Sequence, residues 1–212
     1  MIEFFFDCSS PWTYLAFHNL QPLAAELGVA VQYKPVLVGG IFNTVNPSVY
    51  AQRENVVPLK RDYMIKDLRD WSREAGLHII FPPTIFPVNS VKAMRGCIWL
   101  ERLDRLEDKD SGNARFLRYT AAVFKAYWTD DLDISNDAVL VQICRDVGVD
   151  PDAFLAGIAQ PAIKEEFKAN TDEAIRRGAF GSPTFFVNGE DMYFGNDRLA
   201  LVRAAVLRAK AG

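Results

Sequence analysis

Apolar residues follow two different periods along this chain, and each period predicts its own kind of element. Ile2 to Phe6 form a short apolar and aromatic run, which is typical of a buried strand. From Pro11 to about Leu27 the apolar positions recur every three to four residues, which predicts a helix that ends at Gly28. Pro22 lies inside this pattern and is expected to kink or split the helix.

The pattern beyond the first helix is more varied. Val29 to Tyr33 is predicted to form a second strand that ends before Pro35. Residues 36–57 are rich in Gly and Asn, so we predict an irregular loop there. From Pro58 to Gly178 apolar residues fall on helical stripes almost without interruption, which predicts a block of helices with packed cores.

Strand signals return near the C-terminus. Phe185–Val187 and Met192–Phe194 flank Asn188-Gly189, a sequence typical of a tight β-hairpin turn. Residues 195–197 then begin a final helix. The order βαβ, helices, ββα predicts an α/β protein with a thioredoxin-like fold and a large all-helical insertion. The domains are then residues 1–57 with 179–212, and the insertion 58–178.

Composition excludes several classes of function. The chain has 212 residues, half of them hydrophobic, and a net charge of −3, which suits a packed globule and argues against a nucleic-acid partner. No apolar run approaches the ~20 residues of a membrane-spanning helix. The N-terminal residues include Glu3 and Asp7 and lack a basic segment, so no secretory signal is predicted and we expect a cytoplasmic protein.

The main candidate for a functional site is Ser10-Pro11-Trp12-Thr13, where the first strand ends and the first helix begins. Ser10 is suited to cap the helix, and free N–H groups at a helix N-terminus stabilise anions. A thioredoxin-like fold has Cys-x-x-Cys at this turn, whereas this chain has Ser-x-x-Thr. Two interpretations follow. Ser10 acts only as a cap, or the site stabilises a thiolate that a ligand brings.

Other catalytic residue types give weaker signals. The three cysteines, Cys8, Cys97 and Cys144, have neither disulfide nor zinc spacing. Cys8 lies near the turn, but it precedes the helix N-terminus rather than occupying it. The two histidines, His18 and His78, have no partner at metal-ligand or triad spacing. We therefore predict no metal site, and we prefer structural roles for these residues.

Five stretches of the sequence together carry a resemblance to a known family. They are Phe6-Asp7 with 10–16, then 60–67, 86–90, 180–185 and 194–199. Over essentially its whole length the chain resembles the 2-hydroxychromene-2-carboxylate isomerases, which are glutathione-dependent enzymes of the kappa glutathione transferase and DsbA-like group.

The resemblance implies roles for individual residues. Ser10 would be the catalytic serine, whose hydroxyl bonds the glutathione sulfur. Ser182-Pro183 would face this turn with a cis peptide bond and pair with the glutathione backbone. Gly195, Asn196 and Asp197 would bind the γ-glutamyl group, and Lys60 a carboxylate. The remaining candidates for substrate contacts are Trp12, Arg53, Asn55 and Asn89.

The resemblance also implies an activity. We expect an isomerase that uses glutathione to act on an unsaturated aromatic 2-oxo or 2-hydroxy acid, a small-molecule substrate, and that forms a homodimer. A kappa-like glutathione transferase that conjugates electrophiles or reduces peroxides is the alternative. A disulfide oxidoreductase would require Cys8 to be redox-active, and a non-catalytic binding module would bind ligand without turnover.

Overall fold

The computed structural model describes residues 1–107 and 114–211, except for the side chains of Arg53 and Glu107. Four strands lie in the described chain: β1 Ile2–Phe6, β2 Val31–Pro35, β3 Thr184–Val187 and β4 Asp191–Phe194. The helices described are α1 Pro11–Leu27, α2 Val38–Val45, α3 Ser48–Glu54, α4 Pro58–Glu74, α5 Val91–Glu107, α6 Ala114–Trp128, α7 Asp137–Val147, α8 Pro151–Ala159, α9 Pro161–Arg176 and α10 Leu199–Ala211.

The strands form one mixed sheet in the order β2-β1-β3-β4. β1 runs parallel to β2, with Ile2 opposite Val31, and antiparallel to β3, with Ile2 opposite Val187. β3 and β4 form the hairpin. The carboxyl ends of β1 and β2 and the start of β3 therefore meet at one edge of the sheet, which is where ligands bind in open α/β sheets. The predicted thioredoxin-like fold class is confirmed.

Both faces of the sheet are covered, as the apolar sequence of β1 requires. Every residue of β1 is buried. Phe4 and Phe6 belong to a core cluster that also includes residues of α1, α6 and α10. Phe5 points to the opposite face and packs in a second cluster with Ile41 of α2 and Ala174 of α9. One hydrophobic core therefore extends from the sheet into the helical segment, and the division into two domains stays a prediction.

Two boundaries differ from the sequence prediction. Pro22 does not split α1, which runs unbroken from Pro11 to Leu27. Pro22 and His18 are exposed, so water can pair the carbonyl that the proline leaves without a donor. β2 begins two residues later than predicted because the N–H groups of Gly28 and Val29 bond back to α1 as its C-terminal cap. β2 also includes Pro35, which lies opposite Phe6, rather than ending before it.

The prediction of an irregular loop over residues 36–57 was wrong, since this segment contains α2 and α3. Glycine has low helix propensity, but tertiary packing overrides it here. Val38 and Ile41 of α2 are buried. Gly40 lies so close to α9 that a Cβ atom on it would touch the Thr171 methyl group at 3.4 Å.

The C-terminal hairpin is confirmed. Asn188 and Gly189 both have positive φ, 52° and 84°, as a tight hairpin turn requires. Asn196–Arg198 form a single 3-10 turn before α10, so the last helix begins slightly later than predicted. Among the described helices, none is both long and apolar enough to span a membrane.

Candidate active site

Three segments converge at the carboxyl end of β1: the turn 7–10, the loop 181–183 and the segment 195–197. The Ser182 hydroxyl oxygen accepts a hydrogen bond from the Asp7 backbone N–H at 3.0 Å. The Gly195 N–H donates to the Pro183 carbonyl at 3.1 Å. The structure therefore brings together the segments that the sequence analysis singled out as the glutathione site.

Ser10 caps α1 and also faces the second segment. Its backbone is extended, with φ −110° and ψ 126°, and its hydroxyl accepts from the Thr13 N–H at 3.3 Å. The same hydroxyl donates to the Ser182 carbonyl at 3.2 Å. Ser10 is half-buried, so a ligand can still reach the hydroxyl. The two interpretations of Ser10, as a cap and as a ligand contact, are therefore compatible.

The first turn of α1 leaves a donor unpaired beside Ser10. Pro11 has no N–H, and the N–H groups of Thr13 and Tyr14 both donate to Ser10. The Trp12 N–H has no partner among the described residues. A free N–H and the helix dipole favour negative charge at this position.

Ser182 is the centre of a buried polar network. Its hydroxyl lies 2.9 Å from the Thr13 hydroxyl. The Ser182–Pro183 peptide bond is cis, as the resemblance implied. The Ser182 N–H has no partner among the described residues. Thr13 was not predicted as a site residue, although its place at the second cysteine position of the turn was a signal.

The segment 195–197 offers further polar groups. Asn196 is 4% exposed, its Oδ1 accepts from Asn19 at 3.4 Å, and its buried Nδ2 has no partner among the described residues. Gly195 has φ +105°, and a Cβ atom on it would meet Asp197 Oδ1 at 2.7 Å. Asp197 is exposed and forms an ion pair with Arg198.

The outer candidates are less closely tied to Ser10. Lys60 is exposed in the first turn of α4 and forms no ion pair in the described chain. The Asn55 amide donates to Ala51 at the end of α3, and Asn89 accepts from the Val91 N–H at the start of α5. Trp12 is half-buried in α1. The side chain of Arg53 lies outside the described residues.

The cysteines lack the features of a reactive thiol. Cys8, Cys97 and Cys144 are free and buried. Burial and the nearby Asp7 charge raise the pKa of Cys8 well above its usual range, and burial raises the pKa of Cys97 to about 12. Since the thiolate is the reactive form, these thiols are inert in the folded protein. The described residues contain no cluster of three potential metal ligands.

Fold and site together define a thioredoxin-fold protein that has hydroxyl groups, at Ser10 and Thr13, where a dithiol motif would have sulfur. Residues 1–207 match the family model described as the DSBA-like thioredoxin domain. The chain belongs to this family.

Relatives with established names fall into two groups of enzymes. The chain is 29% identical to 2-hydroxychromene-2-carboxylate isomerase of Pseudomonas sp. (strain C18), over 97% of this chain and 90% of the relative. It is 27% identical to human glutathione S-transferase kappa 1, over 95% and 88%. A solved 2-hydroxychromene-2-carboxylate isomerase structure superimposes with a TM-score of 0.77 at 26% identity, over 98% of this chain and 95% of that one.

Proposed function

We propose that this protein is a glutathione-dependent isomerase that acts on an unsaturated aromatic 2-oxo or 2-hydroxy acid. One observation carries the proposal. The Ser10 hydroxyl lies at the N-terminus of α1, near the unpaired Trp12 N–H, and the positions of a dithiol motif are occupied by Ser10 and Thr13, with the Cys8 thiol buried. This arrangement can stabilise a thiolate but cannot supply one, so the thiol must come with a ligand. The names of the relatives support glutathione as that ligand.

Polar groups of the three segments fit the parts of glutathione. The Ser182 N–H and carbonyl can pair with the cysteinyl backbone like a short added strand. The Ser10 hydroxyl, now bonded to that carbonyl, would turn to the sulfur as glutathione takes its place. The unpartnered Asn196 Nδ2 can donate to the γ-glutamyl carboxylate, and Asp197 can pair with its ammonium.

Bound glutathione would supply a nucleophilic sulfur that adds reversibly to the conjugated substrate and permits bond rotation. Ser10 and the α1 N-terminus would favour the ionised form of that sulfur. A free thiol has a pKa of roughly 8.5, and lowering it by about two units needs roughly 2.7 kcal/mol. One charge-assisted hydrogen bond and a helix N-terminus can together supply this amount.

We propose further contacts to glutathione and to the substrate. Lys60 would bind a carboxylate of glutathione, and Trp12, Arg53, Asn55 and Asn89 would line the substrate side. A homodimer is proposed on the resemblance alone, and the cytoplasmic location stays a prediction. Size-exclusion chromatography with light scattering tests the dimer directly.

The activity is tested by following isomerisation of such an acid with and without glutathione. We expect turnover only with glutathione, and a rate about 10- to 100-fold lower in Ser10→Ala, which loses one charge-assisted hydrogen bond. The matched control is Asn136→Ala, which removes the cap of α7 and so has a similar structural cost. Undiminished glutathione-dependent activity in Ser10→Ala would refute the role of Ser10.

A kappa-like glutathione transferase is the second candidate, and the similarity to human glutathione S-transferase kappa 1 favours it. It would use the same thiolate and differ in the substrate pocket. Conjugation of chlorodinitrobenzene or reduction of an organic hydroperoxide, without isomerisation of the aromatic acid, would support this candidate. Binding of glutathione without turnover of any of these compounds would support a non-catalytic module.

A further inference from the structure

Asp7 is a buried acid beside the candidate site, and the proposed reaction gives it no role. We propose that the Asp7 carboxylate, which hydrogen bonds hold between the Ser10 turn, α2, α5 and the Ser182 loop, opposes ionisation of a thiol bound at Ser10. This inference rests on the proposed function and concerns the same site. It names the group that limits how far the site can activate a thiol.

The contacts of Asp7 reach four segments. The side chain is 0% exposed. Its Oδ1 accepts from the Ser9 N–H at 2.9 Å, and its Oδ2 accepts from the Val38 N–H at the start of α2, also at 2.9 Å. The Ser90 side chain, just before α5, forms a further hydrogen bond to the carboxyl group. The backbone N–H donates to the Ser182 hydroxyl.

These contacts favour an anion. Backbone N–H groups can only donate, and a carboxylate is the form that accepts from both at once. Burial acts in the opposite direction and raises the pKa of Asp7, while the hydrogen bonds from Ser9, Val38 and Ser90 lower it. The group is therefore an acid with a pKa above the ordinary value, held among donors in the turn that leads to Ser10, whose N–H donates to the Asp7 carbonyl at 3.3 Å.

No cation neutralises this carboxylate in the described chain. Asp7 forms no ion pair there. The titratable groups that its charge affects are the thiols of Cys8 and Cys97, which burial keeps neutral. On the first two turns of α5, Lys92 pairs with Asp137 and Arg95 forms no ion pair among the described residues. The α2 start and the Ser182 loop add no charged side chain.

An electrostatic role of Asp7 and a merely structural role would shift the ionisation of bound glutathione in different directions. A second negative charge near a thiolate raises the thiol pKa, so removing the Asp7 charge should lower the pH at which bound glutathione ionises. Loss of positioning alone would weaken the contact to Ser10 and would leave that pH unchanged or raise it. The direction of the shift therefore separates an electrostatic role from a merely structural one.

The test is the ultraviolet thiolate absorbance of protein-bound glutathione as a function of pH, for the wild type and Asp7→Asn. We expect a midpoint about one pH unit lower in Asp7→Asn. The control is Asp104→Asn, which alters an equally buried carboxylate that accepts from Arg115 and the Phe116 N–H. This control should leave the midpoint unchanged.

If Asp7→Asn does not fold, Asp7→Ser provides a second variant. It removes the charge and keeps a hydroxyl oxygen that can accept a hydrogen bond, so the midpoint should again fall. An unchanged or higher midpoint in the folded variant, with glutathione still bound, would overturn the inference. A wild type that shows no thiolate band would instead overturn the proposed function, and the inference with it.

Discussion

The Ser10 hydroxyl donates a hydrogen bond to the backbone carbonyl of Ser182, 172 residues away, at 3.2 Å. The bond joins the cap of the first helix to the loop that precedes β3. Each partner has other contacts that fix its position, since Ser10 accepts from Thr13 and Ser182 accepts from Asp7. A ligand between the two segments would therefore meet preformed donors and acceptors, which reduces the entropic cost of binding.

Thr13→Val tests the buried network behind this bond. The variant loses the hydroxyl that lies 2.9 Å from the Ser182 hydroxyl, so we expect the free energy of unfolding to fall by about 1–2 kcal/mol. We also expect several-fold weaker glutathione binding by calorimetry, because the Ser182 loop loses a support. Thr120→Val, which removes an equally buried hydroxyl beside Cys97, should leave binding unchanged. Equal effects of both variants on binding would contradict this account.

Asp197→Asn tests the γ-glutamyl contact. If Asp197 pairs with the glutathione ammonium, the variant should bind glutathione about tenfold more weakly, which corresponds to about 1.4 kcal/mol. Cysteinylglycine lacks the γ-glutamyl group, so its affinity should not change. The matched control is Asp191→Asn, which changes an exposed carboxylate of the neighbouring hairpin. A parallel loss of affinity for both ligands would place Asp197 outside the γ-glutamyl site.

Cys8 should resist alkylation in the folded protein. Its thiol is 0% exposed, and burial raises its pKa well above the usual range. Iodoacetamide followed by mass spectrometry should therefore modify Cys8 only under denaturing conditions. Rapid modification of Cys8 in the native protein would revive the disulfide oxidoreductase hypothesis.

A cluster of ion pairs on the Phe5 face of the sheet predicts that stability depends on pH. Arg177 pairs with Glu3 and Glu173, and its guanidinium lies 3.8 Å from the centre of the Phe186 ring. The Arg177 hydrogen bond lowers the pKa of Glu3 despite burial. Burial also opposes the shift at Glu173, but hydrogen bonds from Lys34 and Arg177 lower its pKa as well.

Because both folded-state pKa values are depressed, this stabilisation is fully present above about pH 4.5 and is lost as the pH falls through the folded values. Urea unfolding of Arg177→Leu should show a loss of about 2–3 kcal/mol at neutral pH and a smaller loss at pH 3. Arg203→Leu, which breaks an exposed pair with Glu26, should cost less than about 1 kcal/mol. A loss at Arg177 that does not depend on pH would refute the electrostatic explanation.

The sequence predicted those helices and strands whose formation depends on residues next to one another in the chain. The apolar run of β1, the capped α1 and the Asn188-Gly189 hairpin all depend on neighbouring residues. α2 does not, because its glycines disfavour a helix, and it is stabilised by packing against α9 and by the hydrogen bond from the Val38 N–H to Asp7. The register of β2 likewise depends on the cap that Gly28 forms with α1.

The candidate site was likewise predicted only in part. Ser10 and Ser182 were identified from a turn motif and a family resemblance, and the structure brings them together. The partners of the Asp7 carboxylate were not, since Val38 lies 31 positions away and contributes only a backbone N–H, which leaves no trace in side-chain type. Lys60 and Asn55 remain proposals, because their contacts in the described chain are local or exposed.

The most direct test of the central claim is glutathione binding by calorimetry, measured together with an ultraviolet difference spectrum at neutral pH. The proposed function predicts binding with a thiolate band, and loss of that band in Ser10→Ala but not in Asn136→Ala. No binding at millimolar glutathione, or a band of equal strength in Ser10→Ala, would contradict the proposal that Ser10 stabilises a thiolate brought by the ligand.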